Sequence, residues 1–465
     1  MDARLGTEER PVRVAVVGAG PAGFFTADAL LRRDAPVFDV DVFERLPTPF
    51  GLVRAGVAPD HQKIKNVTKT FDRTAKESRF RFMGNVRVGR DISAEELAEH
   101  YDQVVYAVGS SSDRRLGIPG EELRDCHAAT AFVGWYNAHP DFRDFPFDLQ
   151  TGRAVVVGVG NVALDISRVL LRSPAELAKT DIAGHALDVL EHSKIREVVL
   201  LARRGPAEAA FEQKELADIA ALEGVSVHID PEVLERDAAR VGELDAKARR
   251  NVEYMLELTR AQKQKTERAL TIRFLTSPLE VLEGEPDRVR GVLVEKNELV
   301  EGERGPTARG TGETFEIDAG IVFRSVGYYG LPLPDVPYDQ KRGIIPNEEG
   351  RVLDAPGGSI LPGVYAVGWI RRGPVGVIGT NKADAQAVAE LMAEDLPKLS
   401  GRSDAAVTHA AVDALLARRG VRVASYADWG VIDQLEVSQG KERGKIREKL
   451  TTVEQMLDSL PPRRR

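Results

Sequence analysis

Cysteine occurs once in the 465 residues, at Cys126. One thiol excludes an intramolecular disulfide, a CxxC redox pair and a cysteine-ligated iron–sulfur cluster built by this chain alone. Net positive charge is also lacking. The formal net charge is −8, so wholesale nucleic-acid binding is not expected. No apolar run approaches the ~18 residues of a membrane span. The opening MDARLGTEERPVR carries acids and lacks the apolar core of a signal peptide, so a cytoplasmic protein is expected. There is no His/Cys cluster at metal-ligand spacing and no G-x-S-x-G elbow, so neither a metal site nor a serine nucleophile is expected. What is present is an ordinary globular balance, 43% hydrophobic and 29% charged, long enough for two or three domains.

The first element is VRVAVVG, a continuous apolar run expected of a buried parallel strand. It enters the turn Gly18-Ala19-Gly20-Pro21-Ala22-Gly23 and then FFTADALLRR, which has helical spacing. A second apolar strand, FDVDVFE, ends at Glu44, 21 residues after Gly23. Strand, glycine turn, helix and terminal acid together make a dinucleotide-binding unit. The glycines let backbone approach a pyrophosphate at a helix N-terminus, and the acid accepts ribose hydroxyls.

The pattern recurs. RAVVV leads into Gly158-Val159-Gly160-Asn161-Val162-Ala163 and the helical LDISRVLL, with alanine in the third glycine's place. A later strand, REVVLLA, ends at Arg203-Arg204. The gap before it is longer than the usual ~20 residues and holds an added stretch expected to form helix and loop. Two arginines with no acid at the strand end suit a 2′-phosphate, which favours NADP over NAD.

Two such units imply a flavoprotein fed by a nicotinamide, FAD in the first and NADP in the second. The strands YDQVVYAVGS and AGIVFRSVGY end in similar glycine turns and would carry the chain across and back. The expected architecture is α/β, with two Rossmann-like domains in a three-layer, glutathione-reductase-like arrangement. The FAD domain is made of 1–110 and 327–465, and the NADP domain of 111–326 is inserted in it. A third glycine-rich segment, GVYAVGWIRRGPVGVIGTNKADA, runs from a strand through a loop to a helix starting at Val377 or later. That helix N-terminus would stabilise negative charge on a flavin. Trp369 stands where related flavoenzymes carry an acid, and by itself reads equally as core or ligand. The segment FGLVRAGVAPDHQKIKN, residues 50–66, has neither helix nor strand period. The tail holds a helical VTHAAVDALLARRG and a charged, helix-like GKERGKIREKLTTVEQMLDSL.

VVGAGPAGFFTADALL, PFGLVRAGVAPDHQKIKNV, VGVGNVALDISRVLL, RRGPAEAAFEQKEL and VGWIRRGPVGVIGTNKADA, in this order, resemble the adrenodoxin reductase family of NADPH–ferredoxin reductases. The resemblance runs from about 12 to 395 and continues weakly into the tail. It implies FAD, NADP(H) and a ferredoxin as electron acceptor. It assigns FAD contacts to Gly18, Gly20, Ala22, Gly23 and Glu44, and also to Leu52, Val88, Trp369, Gly376, Val377 and Ile378. NADP contacts fall on Gly160, Asn161, Val162, Arg203, Arg204 and Glu215. His61, Asp165 and Asp218 fall on the nicotinamide side, with His61 expected to support hydride transfer and to meet either Asp218 or only water. Two departures stand out. Glu208 lies near the arginines and is expected to weaken a 2′-phosphate site, and Asp218 is one methylene shorter than the glutamate of some members.

Hydride from NADPH and single electrons to a ferredoxin need a flavin between them. KARRNVEYMLELTRAQKQK, 247–265, is the candidate ferredoxin surface, through Lys247, Arg249, Arg250 and Arg260. The alternative is a solvated helix face. The rival functions are an NAD(P)H diaphorase or quinone reductase, the electron-entry flavin subunit of a larger oxidoreductase, and a non-catalytic FAD module. The subunit would bring cysteine clusters or an acid after the last glycine, both missing here. The intact GVGN and both arginines disfavour the non-catalytic module.

Overall fold

Strand Val12–Val17 is VRVAVV with all six residues buried. Its β-branched side chains fill both faces of a parallel sheet. The computed structural model describes residues 4–261, 266–303, 305–399 and 407–462. The chain divides into two compact units, one of 1–57, 61–112 and 328–465, the other of 58–60 and 113–327.

In the first unit, Val12–Val17 lies between the parallel strands Phe38–Glu44 and Gln103–Tyr106, with Val17 opposite both Phe43 and Tyr106. Phe80–Gly84 and Ile360–Ala366 extend the sheet in parallel at its two sides. Two short antiparallel strands, Arg351–Leu353 and Asn347–Glu348, complete seven. This order places a topological switch at the carboxyl end of Val12–Val17, where ligands of open α/β sheets bind. Helices Pro21–Leu31 and Thr380–Glu394 cover one face through Phe24, Leu30, Ala385 and Val388. Ala94–His100 and His409–Arg418 cover the other, through Leu97, Val412 and Leu416.

The tail is part of this core. Trp429, Ile432, Met456 and Leu460 pack with Phe50 and Phe71 on the first face. The helix-like reading of GKERGKIREKLTTVEQMLDSL needs correction. Helix Tyr426–Glu442 stops there, and a second, Val453–Asp458, begins only after a loop. The cause is a glycine cap. Gly444 takes φ +69°, its N–H donates to Lys441 O (3.1 Å), and Lys445 N–H donates to Gly440 O (2.8 Å). The segment 50–66 is likewise less irregular than its pattern, for it forms two short helical turns, Leu52–Ala55 and Gln62–Lys65.

The second unit has a six-stranded parallel sheet in the order Cys126–Ala128, Ile321–Arg324, Arg153–Val157, Glu197–Leu201, Arg268–Arg273 and Val225–Ile229. Helix Asn161–Leu171 and its neighbours bury one face. A three-stranded antiparallel sheet, Thr276–Glu283, Val289–Val300 and Thr307–Asp318, buries the other through Val281, Val292, Val294 and Ile317. The stretch before Glu197–Leu201 forms Pro174–Leu177, opened by a Ser173 capping box, and Gly184–Glu191. Among the described residues, no helix is long and apolar enough to cross a membrane.

Candidate functional site

The three glycines of the first turn have three different reasons to be glycine. Gly18 takes φ +108°, and a Cβ there would stand 2.6 Å from Ala107 O. A Cβ on Gly23 would overlap Gly18 O at 2.0 Å, so the helix packs directly on the turn. A Cβ on Gly20 would meet only Gly51 Cα, at 4.0 Å. Gly20 therefore borders open space, and it is the N-cap of helix Pro21–Leu31 with no side chain capping the free N–H groups. Turn, open approach and close packing are the roles a dinucleotide loop requires. Glu44 ends the neighbouring strand. Its carboxylate accepts from the N–H of Ala19 (3.1 Å) and of Leu46 (3.2 Å), while burial raises its pKa above the ordinary value.

The second turn repeats the design. Gly158 takes φ +126°, with Ser325 O at 2.2 Å from any Cβ, whereas a Cβ on Gly160 would meet nothing within 4 Å. Gly160 caps helix Asn161–Leu171 without a side-chain acceptor. Asn161 instead turns its Oδ1 to the N–H of Glu212, at 2.8 Å. Val162 is half-buried against the same core as the helix. At the end of Glu197–Leu201, Arg203 and Arg204 are exposed, and neither makes an ion pair among the described residues. Their backbone is fixed. Asn297 Nδ2 donates to Arg203 O (2.9 Å), and Leu275 N–H donates to Arg204 O (3.1 Å). Two unpaired guanidinium groups on an anchored strand end match a 2′-phosphate.

One helical turn beyond Asp165 lies Arg168, fully buried. It bonds three carboxylates: Asp60 at 2.6 and 3.0 Å, Asp165 at 2.6 Å and Glu215 at 3.2 Å. Arg168 is the cation these three acids share, and Arg172 stands 3.4 Å from Asp60 as well. Burial, reinforced by Asp165 and opposed by Arg168, lifts Glu215 to a pKa of about 7, and Asp218 pushes in the same direction. His61 opens the turn Gln62–Lys65 in the first unit, and Asp218 lies on helix Gln213–Ala220 in the second.

The third glycine segment rests on the first. Gly368 takes φ +75°, and a Cβ there would meet the Ala22 methyl at 2.6 Å. Gly368 N–H donates to Asp384 Oδ2 at 2.6 Å, and Arg371 bonds the same carboxylate. Trp369 packs on Tyr328 with ring centroids 5.1 Å apart, and its buried Nε1–H has no acceptor among the described residues. That orphaned donor fits a ring carbonyl. Helix Thr380–Glu394 begins three residues after Val377, behind Gly379. Gly376 and Val377 are exposed and Ile378 half-buried. Leu52 is half-buried, and Val88 is buried at a bridge to Ile92.

A model of the family described as pyridine nucleotide-disulphide oxidoreductase matches residues 12–269. NADPH-ferredoxin reductase FprA of Mycobacterium tuberculosis is 46% identical over 96% of this chain and 99% of its own. Human mitochondrial NADPH:adrenodoxin oxidoreductase is 42% identical over 97% of this chain and 93% of its own. The solved structure of the M. tuberculosis FprA complex with NADPH superposes with a TM-score of 0.90 at 44% identity, covering 97% of this chain and 99% of that one.

The chain belongs to the adrenodoxin reductase-type family of NADPH–ferredoxin reductases.

Glu208, the family departure beside the two arginines, has partners of its own. Its Oε2 accepts from Gly205 N–H at 3.0 Å, and its other oxygen lies 3.5 Å from Arg240. On the basic helix Ala246–Arg260, Lys247 binds Ala210 O (2.7 Å) and Glu212 (2.9 Å), and Arg249 donates to Gly242 O (3.1 Å). Arg250 and Arg260 are exposed. Lys263 and Lys265 of the same basic stretch lie outside the described residues. Sequence reading missed Arg168, Asp60, Asn297 and Asp384. Arg168 carries a faint signal, since it follows Asp165 by one helical turn. The others carry none, because their partners are distant in sequence.

Proposed function

We propose that this flavoprotein oxidoreductase carries electrons from NADPH, by way of FAD, to a ferredoxin. The observation that carries the reading is the near full-length match to NADPH–ferredoxin reductases at 42–46% identity. Two glycine turns, each opening an uncapped helix, support it. FAD, when bound, takes up electrons in pairs and releases them singly.

The first unit holds FAD. Gly18, Gly20, Ala22 and Gly23 admit its pyrophosphate, and Glu44 accepts from its ribose. Leu52, Val88, Trp369, Gly376, Val377 and Ile378 line its ring and chain. The second unit holds NADPH. Gly160, Asn161 and Val162 take the pyrophosphate, Arg203 and Arg204 the 2′-phosphate, and Glu215 a further contact. Asp165, His61 and Asp218 support the nicotinamide side. Hydride transfer needs no side-chain nucleophile, so these groups orient and hold protons. Arg250 and Arg260 steer an acidic ferredoxin, with Lys247 and Arg249 shaping the same face. The site of action is cytoplasmic.

The test is NADPH-dependent reduction of cytochrome c with and without a ferredoxin, at low and high salt. Ferredoxin-dependent reduction that weakens with salt is expected. Quinone reduction at equal rate with no ferredoxin requirement would mark a diaphorase instead.

A further inference from the structure

The turn Leu52–Ala55 sits directly on the first glycine loop. Phe50 N–H donates to Ala19 O at 2.8 Å, and a Cβ on Gly51 would come within 2.9 Å of Gly20 Cα. Phe50 itself takes φ +84°, a costly conformation for a bulky residue that persists only when its surroundings impose it. Phe24 and Phe71 pack on its ring at 5.5 and 5.9 Å, and the C-terminal tail closes the other side. Trp429 meets the Phe50 ring edge-on at 5.7 Å and lies under the Arg54 guanidinium at 5.2 Å. Arg54 donates to both oxygens of Glu436, at 2.8 and 2.5 Å. Glu436 is fully buried. It also accepts from Arg447 (3.1 Å) and from Leu450 N–H (2.9 Å). Lys449 Nζ closes the group on Arg54 O at 3.0 Å. One helix and the loop after it thus hold both ends of Phe50–Ala55, the residues flanking Gly51 and Leu52.

We propose that Glu436 is a positioning residue for FAD, acting through Arg54 to press the Gly51–Leu52 turn against Gly20. The role rests on the reading that the first glycine loop binds FAD. A buried carboxylate is suited to it, because only an ionised acid accepts both arms of the guanidinium fork and balances its charge. Glutamine keeps the shape and loses the charge. Aspartate keeps the charge and shortens the reach.

The test uses the purified holoprotein and its E436Q, E436D and K449M variants. FAD release on dilution is followed by flavin fluorescence, and the bound flavin by visible circular dichroism. E436Q is expected to release FAD about tenfold faster, the loss of roughly one charged hydrogen bond. Its bound flavin should show an altered visible dichroism band, which a general loss of stability does not produce. E436D should recover part of both effects. K449M keeps the test open if E436Q fails to fold, and should speed release by a few-fold. A yellow wild type beside an E436Q, or failing that a K449M, with the same release rate and the same dichroism overturns the positioning role alone. A wild type that takes up no FAD overturns the FAD reading, and this role with it.

Discussion

Arg168 grips Asp60 with two arms of its guanidinium, Nε to Oδ2 at 2.6 Å and Nη2 to Oδ1 at 3.0 Å. Asp60 belongs to the tripeptide 58–60, which the first unit's sequence contributes to the second unit. The arginine, fully buried, is the cation that holds Asp60, Asp165 and Glu215 together.

Removing that cation should cost more than removing one acid. R168M removes the buried cation that three carboxylates share and leaves Arg172 beside Asp60, and breaking buried ion pairs this way costs about 3–5 kcal/mol. D60N leaves Arg168 with Asp165 and Glu215, so its cost should be clearly smaller. Urea unfolding of both variants checks the order. Equal midpoints would contradict it.

Glu215 gives the second unit a pH dependence of known sign. Its pKa stands at about 7, raised from 4.5. Between those values the unfolded chain has lost the proton that the folded chain keeps. Its contribution to stability therefore falls as pH rises from 4.5 to 7, then levels. E215Q removes the slope. Unfolding free energies of wild type and E215Q across this range should converge differently at the two ends, and parallel curves would refute the assignment.

The glycines predict separable failures. G20A borders open space and should fold while losing FAD, seen as a colourless protein with an intact far-ultraviolet spectrum. G23A drives a methyl into Gly18 O, where 2.0 Å is available, and should disrupt the fold itself. A yellow, stable G23A would contradict the packing.

Arg203 and Arg204 should select the phosphate. R203A or R204A should raise the KM for NADPH roughly ten- to a hundredfold, the worth of one charge-assisted hydrogen bond. The KM for NADH should barely move. Steady-state kinetics with both nucleotides decides, and a parallel loss for NADH would point to a structural role.

Much of this molecule is legible from its chain because the legible parts are local. Gly18 needs a left-handed backbone, Gly23 a close packing and Glu44 a strand end, and all three lie within one strand–helix–strand unit. The long stretch after Gly160 obscures the second unit's spacing, yet the strand ending in Arg203 still shows. The rest is hidden by distance. Arg168 finds Asp60 across 108 residues and Glu215 across 47. Arg54 finds Glu436 across 382. No periodicity reports such pairs. The tail misled for another reason. Its charged run keeps helical composition past Glu442, while Gly440 and Gly444 turn the chain back. The partners of Glu208, Gly205 N–H and Arg240, are likewise not legible from its place near two arginines.

The most direct measurement is stopped-flow bleaching of the flavin, without oxygen, by NADPH and NADH in parallel. Rapid, saturable bleaching by NADPH at concentrations where NADH gives little is the predicted result. No bleaching by either, or equal rates and affinities for both, would contradict the account.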